Sequence, residues 1–298
     1  MALEAEQLST MSDAEIRDSA VIENDEIEIQ SQLHNGAEAV QESPVEQQQL
    51  FVQERDLLDG KVVGEPQRIE QGINGKASVV ELEGGVRGVF KTYETVDEPA
   101  RQTVIARERA AFLVDNFLGF GRVPPTVIRE VGGKKGSFQQ FIPDARTFHK
   151  VSAAEREGMQ SDLEAIRVLD AVITNKDDND GNFLAREGRA YAIDRGTSMY
   201  EIDQKSLPYA LGKKSISPET AHKIMSVREN IQEFETQLHA LEAQLQGAGL
   251  PAETAVTLSA RLKAIVGAYD ETGRFDMHRY VESFDPDNKL KLKDDILS

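Results

Sequence analysis

A polar loop, NKDDNDGNFL at 175–184, lies between a helix-patterned stretch and a short β-type hairpin, and the hairpin closes on Asp194-Arg195-Gly196. Its flanks are apolar: Leu169, Val172 and Ile173 before it, Phe183, Leu184, Ala192 and Ile193 after it. Such a loop is held from both sides by buried residues while its own polar groups stay available. Upstream, β-type runs cluster between 67 and 142, and downstream of 200 the patterning is helical. That segregation predicts an α+β chain with a small β-rich N-terminal lobe (67–145) and a helical C-terminal lobe (146–298).

The individual elements follow from hydrophobic period and breakers. Gln67–Glu70, Ala77–Glu83 and Val86–Tyr93 read as strands, joined by GINGK and by EGG. Gly84-Gly85 between two alternating runs is a hairpin signal. Pro99–Leu118 carries apolar residues at helical spacing, and Val127–Val131 and Gly136–Ile142 read as two further strands. Ala153–Val172, Pro218–Gln246 and Pro251–Tyr269 read as helices, the last two separated by GAGLP.

Charge is distributed unevenly. The 298 residues carry a formal net charge of -18, yet residues 1–50 alone hold 12 acids and one base. The remaining body is only mildly acidic, which excludes general nucleic-acid binding, since that needs a basic footprint. Residues 1–66 are rich in Glu, Gln and Ser and have no aromatic before Phe51. They are expected to form a mobile acidic tail, either a solvated spacer or a partner-binding arm. The chain has no cysteine, so thiolate metal sites and thiol nucleophiles are excluded. No apolar run reaches membrane-spanning length and no signal-peptide pattern opens the chain, so a cytoplasmic protein is expected. Export as an effector by a route without a cleaved signal stays open.

The loop and hairpin carry the candidate chemistry. Phosphoryl transfer needs a carboxylate beside the attacking hydroxyl and oxygen ligands for a divalent cation. Asp177 and Asn182 have the five-residue spacing of a kinase catalytic aspartate and its metal-binding asparagine, and Asp194, two before Gly196, fits the second metal-binding position. A calcium loop starting at Asn175 fails, because Asp180 stands where glycine is needed and Arg186 where glutamate is needed. Upstream, Lys91 ends the GVFK strand after a Gly-containing turn (Gly72–Gly75), and Glu108 lies in the next helix. A strand lysine that contacts nucleotide phosphates and pairs with a helix glutamate is the matching kinase pattern. Each residue alone has a plain reading as a turn or surface charge; their order along the chain favours a joint role.

The strings GVFK (88–91), ERAAFLVDNFLGFGRVPPT (108–126), GSFQQFI (136–142), ITNKDDNDGNFL (173–184) and AIDRGTSM (192–199) resemble the phosphoinositide 3-/4-kinase-like superfamily. The likeness is to type II phosphatidylinositol 4-kinases and bacterial atypical kinases, over roughly residues 70–200. It implies a two-lobed kinase-like fold, with ATP and Mg2+ or Mn2+ as cofactors. Lys91 would bind phosphates with help from Gly72 and Gly75, and Glu108 would orient it. Gln139, Gln140 and Phe141 would form the adenine hinge. Asp177 would be catalytic, with Asn182 and Asp194 as metal ligands. Asp178 stands where these lipid kinases usually carry a basic residue, and their cysteine cluster is absent. A protein or small-molecule hydroxyl is therefore favoured over an inositol lipid as acceptor. A nucleotide-binding scaffold that transfers nothing is the alternative. Lys213-Lys214 could meet a phosphate or be a surface pair.

Overall fold

A computed structural model of the chain describes residues 51–69, 77–98, 100–175, 177, 179–199, 211, 215–229 and 231–284. Among these, the first lobe is one antiparallel sheet with two helices. Its strands are β1 (Val62–Arg68), β2 (Ala77–Leu82), β3 (Arg87–Lys91), β4 (Thr126–Val131) and β5 (Lys134–Gln140). They lie in the order β1-β2-β3-β5-β4. The β2–β3 turn uses Gly84 and Gly85, both at positive φ, as the sequence predicts. Gly88 on β3 is needed for another reason. A Cβ there would sit 2.4 Å from the ring of Phe138 on neighbouring β5, so the ring packs directly on the backbone.

The folded body starts earlier than the change in composition predicts. Helix α1 (Glu54–Asp59) precedes β1, and its Leu57 is fully buried among Val80, Leu82, Phe90, Val127, Val131 and Phe138. Arg129 on β4 donates to the carbonyls of Leu57 and Gly60, and Arg109 is ion-paired with Glu54. The expected tail 1–66 is thus shortened at its C-terminal end. Composition hides this boundary because α1 offers one apolar anchor and β1 is a mostly exposed edge strand. Residues 1–50 lie outside the described residues, as do Gly72, Gly75, Asp178 and Lys213-Lys214.

Helix α2 (Ala100–Phe117) connects the lobes. One end packs on the sheet, and the other joins the large core of the helical lobe through Leu113, Val114 and Leu118. The second lobe begins with a three-stranded sheet, β6 (Arg146–Thr147), β7 (Phe183–Arg186) and β8 (Arg189–Ala192). The β7–β8 turn has both Glu187 and Gly188 at positive φ, which suits the twist of a tight hairpin. The single helix expected over 153–172 is two: α3 (Ala153–Gly158), with a Ser152/Glu155 capping box, and α4 (Gln160–Ile173). The helix expected over 218–246 is likewise divided, into α5 (Pro218–Arg228) and α6 (Ile231–Gly247). Helices α7 (Ala252–Ala268) and α8 (Met277–Phe284) complete the lobe. The whole is a two-lobed α+β chain, with an antiparallel N-terminal sheet and a helical C-terminal region. Among the described residues no helix is long and apolar enough to cross a membrane.

Asp115 holds the loop after α2 against that helix. Its Oδ2 accepts the backbone N–H groups of Arg122 (2.9 Å) and Val123 (3.2 Å), while Oδ1 is buried without a partner. Burial pushes this carboxyl up to about 7, against the opposing pull of those N–H groups and the Arg122 charge. In the unfolded chain it titrates near 3.8. Between these values the folded state binds the extra proton, so stability should fall as pH rises from about 4 to about 7, by at most ~1.4 kcal/mol per pH unit. Asp115→Asn should flatten that decline. Urea midpoints at several pH values for both proteins test this, and parallel curves would refute it.

Candidate active site

The site sits where β3, α2 and the β7–β8 hairpin meet. Lys91 Nζ lies 3.3 Å from Glu108 Oε1 and 3.0 Å from Asp194 Oδ1. The ammonium is mostly enclosed and Glu108 almost wholly so, whereas the Asp194 side chain keeps 28% of its surface open. Lys91 reaches this point because it is the last residue of β3, paired with Ala77 on one side and Ser137 on the other. Glu108 is on the face of α2 turned towards the sheet. Asp194 follows β8 with φ +54, a left-handed conformation uncommon for a non-glycine residue. Such strain persists only where the surroundings enforce it.

Electrostatics favour an ionised Asp194. Burial alone would raise the Asp194 carboxyl. The charge and hydrogen bond of Lys91 outweigh it, with smaller help from Glu108 and Arg195, and hold it below its ordinary value. The Asp194 carboxylate stays partly open beside that ammonium. The amide nitrogen of Asn182, a residue only 3% exposed, is buried without a hydrogen-bond partner. The partly open Asp194 carboxylate suits a divalent cation, with the Asn182 amide oxygen as the second ligand expected from the sequence; the orphaned Nδ2 is a donor and suits a phosphate oxygen, not the cation. Among the described residues no three His, Cys, Asp or Glu groups form a ready metal cage. A cation here would complete its shell from phosphate and water, the usual habit of magnesium.

Asn182 and Asp194 are neighbours through the hairpin. Ile193 N–H donates to the Asn182 carbonyl at 3.1 Å. Asp177 heads the same loop, half-buried and braced locally. Asn179 N–H donates to its Oδ1 (3.2 Å), and the Asn175 side chain donates to its carbonyl (2.8 Å). Gly181 N–H caps onto Asn179 Oδ1 (2.8 Å), and Asp180 is ion-paired with Arg156 (2.7 Å). The loop leaves α4 through Thr174 at φ +53.

Gln139, Gln140 and Phe141 lie at the end of β5, where the chain passes between the lobes. The Gln139 side chain donates to Thr126, and Gln140 Oε1 accepts from Val52 N–H. The N–H groups of Gln140 and Phe141 are engaged by the Pro125 and Arg87 carbonyls. The segment presents an apolar strand end, with Phe141 beside Ile69, Ala77 and Val79, rather than idle donors at 140 and 141. Gly72 and Gly75 cannot be placed, lying outside the described residues.

Three further residues belong to the site. Tyr93 Oη donates to Glu108 Oε1 at 2.6 Å, on the same oxygen that faces Lys91. Arg195 and Asp170 form a buried pair behind the loop (Nε to Oδ1 2.9 Å). A signal was present in the sequence: Asp170 interrupts VL-AVI and Arg195 follows AID, two opposite charges within apolar runs. Isolated charges in such runs are buried only when paired.

No family model matches the sequence, and no curated protein matches it. Among solved structures the chain is similar to CtkA, a proinflammatory kinase of Helicobacter pylori. The TM-score is 0.45 and the identity 13%, covering 76% of this chain and 98% of that one.

Proposed function

We propose that this chain is an ATP- and divalent-metal-dependent phosphotransferase of the phosphoinositide 3-/4-kinase-like type, acting on a protein or small-molecule hydroxyl. The observation that supports this most is the Lys91 ammonium lying between Glu108 and Asp194, at 3.3 and 3.0 Å. That arrangement presents one fixed positive charge to a phosphate and one carboxylate to a metal. It is the pairing that phosphoryl transfer requires, because catalysis there is mostly positioning and charge stabilisation.

In this reading Glu108 fixes the Lys91 side chain, and Lys91 then contacts nucleotide phosphates. Asp194 and Asn182 would hold the cation. Bound magnesium or manganese would neutralise charge on the phosphates. Asp177 accepts a hydrogen bond from the acceptor hydroxyl and receives its proton as the phosphoryl group departs. The acidic body and Asp178 favour a protein or small-molecule acceptor over an anionic lipid.

The test is a thermal-shift titration with ATP, with and without Mg2+ or Mn2+, followed by transfer of labelled phosphate to protein, lipid vesicles or lysate. The expected result is stabilisation that needs both nucleotide and metal, together with transfer. Stabilisation without transfer to any acceptor or to water would favour a nucleotide-binding scaffold. No stabilisation with either metal would refute nucleotide binding at Lys91, Asn182 and Asp194.

A further inference from the structure

We propose that Arg195 is a positioning residue that sets the spacing of the two metal-binding side chains, Asn182 and Asp194; this rests on the phosphotransferase reading above. Arg195 is 1% exposed and lies between Asp194 and Gly196 in sequence. Its guanidinium makes a forked contact with Asp170, Nε to Oδ1 at 2.9 Å and Nη2 to Oδ2 at 3.3 Å. Its Nη1 donates to the carbonyls of Asn182 (3.2 Å) and Ile193 (2.5 Å), and the group lies 5.1 Å from the Phe183 ring centre. Its backbone N–H donates to Glu108 Oε2 at 3.3 Å.

One side chain thus touches the end of the loop, the end of the hairpin and the last turn of α4. Asp170, its partner, also accepts backbone N–H bonds from Thr174 and Asn175 through its carbonyl. Asn175 in turn holds the Asp177 carbonyl. The bonds run without a gap from Glu108 through Arg195 and Asp170 to the loop that carries Asp177 and Asn182. The backbone at 182 and 193 is pinned to one rigid planar group, immediately beside each metal-binding position.

Stability alone does not explain this choice. A buried ion pair is weak support for a fold, since well-packed apolar residues often replace one without loss. An apolar side chain cannot bind two carbonyls and a carboxylate at fixed angles, and a lysine cannot form the fork. The three contacts together require the planar, five-donor shape of arginine.

The decisive comparison is wild type against Arg195→Lys and the double variant Arg195→Met with Asp170→Leu. Three quantities are read: thermal midpoint, Mn2+ affinity in the presence of ATP, and kcat against KM. Hydrogen exchange over 177–196 is followed without metal. The double variant should keep a near-wild-type midpoint while Mn2+ affinity falls roughly 10- to 100-fold, the usual effect of losing a residue that orients metal ligands. Exchange over 177–196 should rise, and kcat should fall more than KM for ATP changes. Wild-type Mn2+ affinity in a folded double variant would overturn the proposal and leave the pair a structural one. If the double variant does not fold, Arg195→Lys decides. Weakened Mn2+ binding at an unchanged midpoint supports the role, and unchanged binding overturns it. A wild type that binds no Mn2+ with ATP would instead overturn the phosphotransferase reading, and this inference with it.

Discussion

Lys91→Met should reduce phosphate transfer by roughly 10²–10³, the loss expected when one preorganised charge donor is removed from a developing negative charge. Methionine keeps the apolar stem between β3 and α2 and deletes only the ammonium. Glu108 would then face Asp194 without a cation between them. Glu108 retains the Tyr93 hydroxyl and the Arg195 N–H, so it stays satisfied in part. The thermal midpoint should drop, and added Mg2+ or Mn2+ should restore some of it, because a cation can occupy the gap beside Asp194. Asp177→Asn should behave differently. The amide oxygen can still accept from Asn179 N–H, so the loop keeps its shape. Metal-dependent ATP binding should persist while transfer is lost to a similar or greater degree. Purified variants measured side by side for thermal shift and transfer separate these outcomes. Transfer by Lys91→Met at wild-type rate would remove Lys91 from the mechanism.

The β2–β3 hairpin and the polar loop were legible because their signals are local, whereas β1 (Val62–Arg68) starts five residues before the strand expected at Gln67–Glu70. Gly84-Gly85 between alternating runs, and Asp177, Asn182 and Asp194 between apolar anchors, need no knowledge of distant residues. Lys91 and Glu108 were legible only as a pair in order along the chain, 17 residues apart, and they meet in space. What escaped was set by tertiary contacts. Leu57 looks like a stray leucine in an acidic segment until the sheet covers it. The break at Met159 and the division of the helix after Arg228 leave the hydrophobic period almost intact, so periodicity reads through them. Tyr93 acts from φ +51, just beyond β3, where strand parity no longer says which way a side chain points. Arg195 was seen only as the middle of an Asp-x-Gly string. Its role depends on Asp170, 25 residues earlier, and such a pair is found only by asking which buried charges must satisfy each other.

Gly196→Val should lower kcat/KM by about 10²-fold, beyond what its loss of stability accounts for. Gly196 is not among the glycines at positive φ, so the backbone would accept a side chain there. Space is what it lacks. An added Cβ would lie 2.9 Å from Val104 Cγ1, 3.0 Å from Tyr93 Oη and 3.3 Å from Glu108 Cγ. None of the three neighbours has an easy escape, because Tyr93 and Val104 are packed with the fully buried Ile105, and Glu108 is 2% exposed. The strain therefore moves α2 away from the hairpin or tilts Glu108, and either displaces Lys91. Overpacking of this kind typically costs about 1–3 kcal/mol of stability. A displacement near 1 Å at a charge-positioning group can cost about 10²-fold in rate. Alanine should fall between glycine and valine, since it adds the crowded Cβ without the further methyl groups. The series Gly, Ala, Val read as kcat/KM against thermal midpoint tests the point. A fall in rate that merely tracks the midpoint would mean general destabilisation. A valine variant as active as wild type would show that the close approach of Gly196 to α2 does not hold Glu108 in place.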